Sequence, residues 1–318
     1  MKKATQKIAI RALIYIAIFI VAIFVVYFAI NLLLTNQIKK NLAVSSQIES
    51  NLFSRFGVYL NNLIRGSAGQ IYTSELSASG QSISSLYFNQ FKWTILFTGL
   101  VFLISLIIGN VLGVYSGYKF NRWPDITINI IVIALATIPL ILIAILALAF
   151  SYLFGYPSQF ISEFPLSLQS LLVPILIMLF GTISLFMSRS RKITKEVISS
   201  NYYLFAKSFG MSKTALFRKV LFKKLLFNQL QAIVPFYIIL LSSSIVIERI
   251  FSIPGQSIFV SYAFRYAEIN LIMYFFFVNL LMLFLVKFIF SIILDYLNPE
   301  QKTEFANFVF VPRRKKAI

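Results

Sequence analysis

Residues 188–231 read SRSRKITKEVISSNYYLFAKSFGMSKTALFRKVLFKKLLFNQLQ and are bounded by two apolar runs, 171–187 and 232–251. The segment holds ten Lys or Arg residues against one acid, Glu196. Basic loops between apolar runs mark the cytoplasmic side of a membrane protein, because Lys and Arg resist translocation. Yet the same segment carries Tyr202, Tyr203, Phe205, Phe209, Met211, Leu216 and Phe217. A water-facing loop keeps such an apolar load where it meets a protein or a membrane. Gly210 suits the left-handed cap that closes a helix, and Ser212 suits the N-cap that opens the next. The expectation is a helix–turn–helix beneath the membrane with aromatic residues at its turn.

Working outward, six apolar runs qualify as spans: 12–34, 93–118, 126–154, 171–187, 232–251 and 271–297. About 20 apolar residues cross a bilayer as a helix, the one segment that satisfies its own backbone hydrogen bonds in hydrocarbon. With 59% hydrophobic and 12% charged residues, the composition leaves little room for a soluble fold. The first run follows Lys2, Lys3, Lys7 and Arg11, exceeds the core of a cleaved signal peptide and reads as an uncleaved signal-anchor. The polar stretch 35–91 follows, with 73–85 (TSELSASGQSISS) reading as a mobile loop. The run 126–154 would be roughly 43 Å long as one helix, against a hydrocarbon core of about 30 Å, so it must tilt, kink at Pro139 or project. Pro174 is expected in the first turn of its span, where proline is best tolerated.

Orientation follows from the basic residues. With both termini cytoplasmic, the inner segments hold 21 Lys/Arg and the outer ones 7, and Lys287 lies within the last run. Three regions follow. Residues 1–92 form the anchor and an external loop, 93–297 the transmembrane domain with loop 188–231, and 298–318 a basic cytoplasmic tail.

A net charge of +19 would suggest nucleic acid in a soluble protein, but here the cations are confined to loops between spans. The absence of Cys and His excludes disulfides, thiolate metal sites and histidine catalysis within the chain. No glycine precedes a lysine, so there is no phosphate-binding P-loop. No acid lies well inside a run, and Glu248 and Asp295 stand at run ends. Ion-coupled carriers hold ionisable groups at membrane depth, so that class is disfavoured. A membrane enzyme would need converging acids, His or Cys. Lys287 either lines a translocation path or snorkels to the inner headgroups. Pro139, Glu248 and Lys287 are the translocation-path candidates.

The loop resembles the cytoplasmic "EAA" loop of binding-protein-dependent ABC permeases. Tyr202, Ala206, Lys207, Gly210 and Met211 match the pattern of the oligopeptide/dipeptide/nickel branch. IVIERIFSIPG (245–255), IIGNVLGV (107–114), Pro139, YLNNLIRGSAG (59–69) and LNP (297–299) are similar to further stretches of that family, in the same order. The chain departs from the pattern at Phe227, Lys287, Ser291 and Asn298.

The resemblance implies an all-α integral membrane protein of the ABC importer permease (MetI-like) fold, with six spans and a cytoplasmic coupling helix. It implies an ATPase-coupling site at Tyr202, Ala206, Lys207, Phe209, Gly210 and Met211, with no catalytic residue, cofactor or metal of its own. ATP and Mg would be bound by two cytoplasmic ATPase subunits. Further partners would be a homologous second permease, an external substrate-binding lipoprotein and membrane lipid. Oligopeptides are the implied cargo, with dipeptides or nickel as alternatives. A membrane scaffold or insertion factor without an ATPase is the reading from another class.

Overall fold

The computed structural model describes residues 2–78 and 80–297, and among them there are helices and turns but no strand. The basic tail expected over 298–318 lies outside the described residues. In chain order the principal helices are α1 (Lys2–Lys40), α2 (Leu52–Ile64), α3 (Ile83–Tyr118), α4 (Trp123–Thr137) and α5 (Leu140–Phe154). They continue with α6 (Leu166–Ile198), α7 (Asn201–Ser208), α8 (Lys213–Ile250), α9 (Gln256–Arg265) and α10 (Ile269–Leu297). Helices α1, α3, α6, α8 and α10 are each long and apolar enough to cross a bilayer. The pair α4–α5 makes a sixth span if it is counted as one broken helix.

That break answers the length problem of run 126–154. Pro139 has no N–H to donate and disfavours helical backbone at the residue before it. Ile138 accordingly turns extended, with ψ 127°, and the two helices meet at 82°. Elsewhere the helices outrun the apolar runs. Helix α3 begins at Ile83, where Ser82 caps it by accepting from the Ser85 N–H at 3.3 Å. Helix α6 spans Leu166–Ile198, so Pro174 sits inside the helix, not in its first turn as expected. Hydropathy marks the stretch that lies in hydrocarbon; polar residues extend the helix beyond it unseen.

Helices α3 and α6 pack along Gly109, Gly113 and Gly117, spaced four apart on one face. A Cβ on Gly109 or Gly117 would lie 2.6 Å from the Cβ of Phe186 or Thr194. In hydrocarbon no hydrophobic force draws helices together, so close backbone approach supplies the attraction. Polar groups add to it at the same seam. Ser105 and Thr182 hydroxyls lie 2.5 Å apart. Asn110 Oδ1 accepts from Ser190 Oγ at 2.5 Å and from Gln229 Nε2 at 2.9 Å, joining α3, α6 and α8. Two apolar cores flank this seam. One is formed by α1, α2, the start of α3, α9 and α10 around Tyr27, Tyr87 and Met273. The other is formed by α3, α5, α6 and α8 around Phe97, Met178 and Leu240.

The stretch expected as a mobile loop is anchored at its start. The fully buried Glu268 carboxylate accepts from the N–H of Tyr72 at 3.0 Å, from that of Thr73 at 2.6 Å and from the Thr73 hydroxyl. Asn270 Nδ2 donates to the Gln70 carbonyl at 2.8 Å. Ser74–Ser77 is a helical turn, and from Ile83 the stretch is already α3.

Candidate functional site

Past the seam, α6 continues to Ile198 and gives way to α7, a sharp turn and α8. Ile193, Val197, Tyr203, Leu216, Leu221 and Leu225 form a buried cluster that holds α7 and the start of α8 against α6. Gly210 closes α7 with φ +77°, a conformation glycine adopts without the clash of a Cβ. Ser212 then caps α8, its hydroxyl accepting from the Ala215 N–H at 3.3 Å. The turn thus forms where local glycine and serine chemistry places it. Helix α8 opens with one α-turn, Lys213–Leu216. A π-helical turn, Phe217–Leu221, follows before regular α-helix resumes at Phe222.

The two faces of α7 differ. Tyr203, Ala206 and Met211 pack inward on the buried cluster. Tyr202, Phe205 and Phe209 point outward, 50%, 65% and 72% exposed, with the last two rings 4.5 Å apart. Lys207 is exposed beside them. Met211 therefore contributes to the support of the turn, because the reversal at Gly210 sends the next residue back toward Leu216. An exposed aromatic tip on a braced helix pair, with Lys207 as its charge, is suited to docking and not to bond chemistry.

A polar knot lies at the root of this element, and it was not singled out from sequence. Asp125, fully buried at the start of α4, receives Arg191 Nε on Oδ1 at 2.6 Å and Arg191 Nη2 on Oδ2 at 2.7 Å. Asn129 Nδ2 donates to Oδ1 at 2.7 Å, the Asn121 N–H to Oδ2 at 2.8 Å, and the Ser116 hydroxyl also donates to Oδ1. The Phe120 ring lies 4.6 Å from the Arg191 guanidinium and 3.9 Å from the Lys195 amine. The available signal was one of the chain's ten acids standing at the head of an apolar run.

The three path candidates fall on separate elements. Pro139 is exposed at the α4–α5 break. Lys287 is exposed on α10, its amine 5.8 Å from the Tyr15 ring of α1. Glu248 is fully buried: its Oε2 accepts from the Ser257 N–H at 2.9 Å, and its carbonyl accepts from the Ile253 N–H at 2.8 Å. Gly255 leaves room for that carboxylate, which any Cβ there would overlap. Glu248 thus braces the Ser252–Gly255 turn from within. Among the described residues no three His, Cys, Asp or Glu side chains group as metal ligands.

Comparison with known proteins bears on the same region. The family described as "Binding-protein-dependent transport system inner membrane component" matches residues 109–303, from the glycine seam through the α7 turn to α10. The oligopeptide transport system permease protein OppB of Mycoplasma pneumoniae is 27% identical over 251 residues, covering 73% of this chain and 61% of that protein. OppB of Mycoplasma genitalium is 24% identical over 204 residues, covering 61% of this chain and 49% of that protein. The chain thus spans under two thirds of the length of these relatives. A crystal structure of an amino acid ABC transporter, solved with histidines, superposes with a TM-score of 0.50 at 16% identity over 70% of this chain and 99% of that one. That likeness shows a shared fold.

Proposed function

The chain belongs to the family of binding-protein-dependent transport system inner membrane components, and from that premise we propose that it is a permease subunit of an ATP-driven importer of oligopeptides. The cargo is taken from the names of the Mycoplasma relatives. Dipeptides or nickel are the alternatives that the same branch offers. In this reading ATP and Mg are bound by two separate ATPase subunits. A second permease completes the pathway, and an external binding protein delivers the substrate. The protein lies in the cell membrane with both termini and the α7 turn cytoplasmic.

The observation that carries the reading is the exposed tip of Tyr202, Phe205 and Phe209, held out on α7 by the cluster beneath it. An apolar helix of this kind is recognised by lying in a groove of a partner. ATP-driven closure of the ATPases would move α7 and switch the spans between two packings. Substrate would cross between the two permeases, and the exposed amine of Lys287 would reach the headgroup layer.

The test is co-purification of the ATPases with the chain, followed by uptake of a labelled pentapeptide into vesicles carrying the assembled importer. The wild type should retain ATPases and accumulate peptide. Phe205→Ala/Phe209→Ala should release the ATPases from a chain that still folds. A wild-type chain that binds no ATPase would sink the reading. Uptake of a dipeptide or Ni²⁺ in place of the pentapeptide would correct the cargo alone.

A further inference from the structure

The buried Asp125 carboxylate and the Arg191 guanidinium, whose side chain is 26% exposed, take no part in the docking tip, and cohesion alone does not account for them. Taking a carboxylate wholly out of water is costly, and apolar residues of similar volume hold helices together as well or better. What a bidentate guanidinium–carboxylate fork adds is a fixed mutual orientation, since both N–H groups and both oxygens must align. Here the fork is fully built. Oδ1 is shared by Arg191, Asn129 and Ser116, and Oδ2 by Arg191 and the Asn121 N–H. The Phe120 ring, in the corner between α3 and α4, lies against both Arg191 and Lys195 of α6.

The position of the fork is the second observation. Arg191 stands seven residues before the end of α6 at Ile198, roughly 10 Å along the helix, and α7 begins three residues later. Asp125 stands in the first turn of α4, whose far end is the 82° break before α5. Helix α4 is therefore clamped at one end to the root of the docking element and jointed at the other.

We propose that Asp125 and Arg191 form a strut that makes α4 and the basic end of α6 move as one body, passing displacement of the α7 turn to the bent span α4–α5. The inference rests on α7 being the ATPase-docking element. Neither residue touches substrate; both are positioning residues, with Asn129 and Ser116 holding the carboxylate for the fork.

The test uses the assembled importer in proteoliposomes, with a labelled pentapeptide as probe. Three quantities are read: ATPase retained, peptide moved per ATP hydrolysed, and melting temperature in detergent. Asp125→Asn and Arg191→Gln should each keep the ATPases bound and lower peptide per ATP about fivefold or more. The apolar double variant Asp125→Leu/Arg191→Met should recover the melting temperature that the single variants lose, yet stay poorly coupled. Asn129→Ala, which leaves no bare charge, should lower the same ratio by a smaller factor. Wild-type peptide per ATP in the apolar double variant or in either single variant would overturn the strut. Should the charged-pair variants fail to accumulate, an unchanged ratio in Asn129→Ala would overturn it equally. A wild-type chain that holds no ATPase would instead remove the reading beneath the strut.

Discussion

Gly113 of α3 and Met187 of α6 approach so closely that a Cβ on the glycine would lie 2.5 Å from the Met187 carbonyl oxygen. A backbone oxygen cannot swing aside as a side chain can. Gly113→Val should therefore wedge α3 away from α6 and destabilise the bundle by about 1–3 kcal/mol. Gly99, on the same helix, has nothing within 4 Å of its Cβ position, so Gly99→Ala serves as the control. Thermal unfolding of the purified protein in detergent should show a lower midpoint for Gly113→Val and none lost for Gly99→Ala.

Gly210 poses the opposite case. Its φ of +77° is demanding, but a Cβ there meets nothing within 4 Å. The penalty of a substitution is therefore one of backbone conformation, about 1–2 kcal/mol for an ordinary residue and far less for Asn. Gly210→Asn should keep the ATPases bound, whereas Gly210→Val should loosen them while all spans stay inserted. Equal ATPase retention by the two variants in a pull-down would refute the dependence on positive φ.

Glu268 fastens the stretch that ends at Thr73. Replacing it with Ala leaves the Tyr72 and Thr73 N–H groups without an acceptor, at about 1–3 kcal/mol for a buried donor. Glu268→Gln keeps an acceptor oxygen and should be milder. Hydrogen exchange at Tyr72 and Thr73 should speed up markedly in Glu268→Ala and little in Glu268→Gln. Unchanged protection in the alanine variant would mean that the segment is held by other contacts.

Topology can be read with thiols, because the chain has no native cysteine. Ser158, between α5 and α6, and Ser212, in the α7–α8 turn, are both exposed. Cysteine at position 158 should react with an impermeant maleimide in intact cells. Cysteine at position 212 should react after the membrane is opened. Labelling of position 212 in intact cells would reverse the assigned orientation.

The spans were legible because hydrocarbon imposes a length and a composition on any helix that crosses it. Their ends were not: Ile83–Lys92 and Leu166–Ser170 continue helices in surroundings where hydropathy carries no signal. The α7–α8 turn was legible because Gly210 and Ser212 act through their own backbone. Side-chain direction was not, and Met211 belongs to the support where a contact residue was expected. Glu248 stands at the end of an apolar run, which says nothing of the side its carboxylate faces; the backbone of Ser257 encloses it. The Arg191–Asp125 fork joins residues 66 apart and the Glu268–Thr73 anchor residues 195 apart. Such pairings exist once helices are packed and leave no local pattern.

The π-helical turn at Phe217–Leu221 amounts to one extra residue inserted in a helix that would otherwise run unbroken from Lys213 to Ile250. A π turn takes up that residue within one widened turn, so the helix on either side keeps nearly the same phase. Leu216, Leu221 and Leu225, spaced five and then four apart, accordingly all reach the one cluster with Ile193 and Val197, so the support beneath the aromatic tip stays continuous with the span.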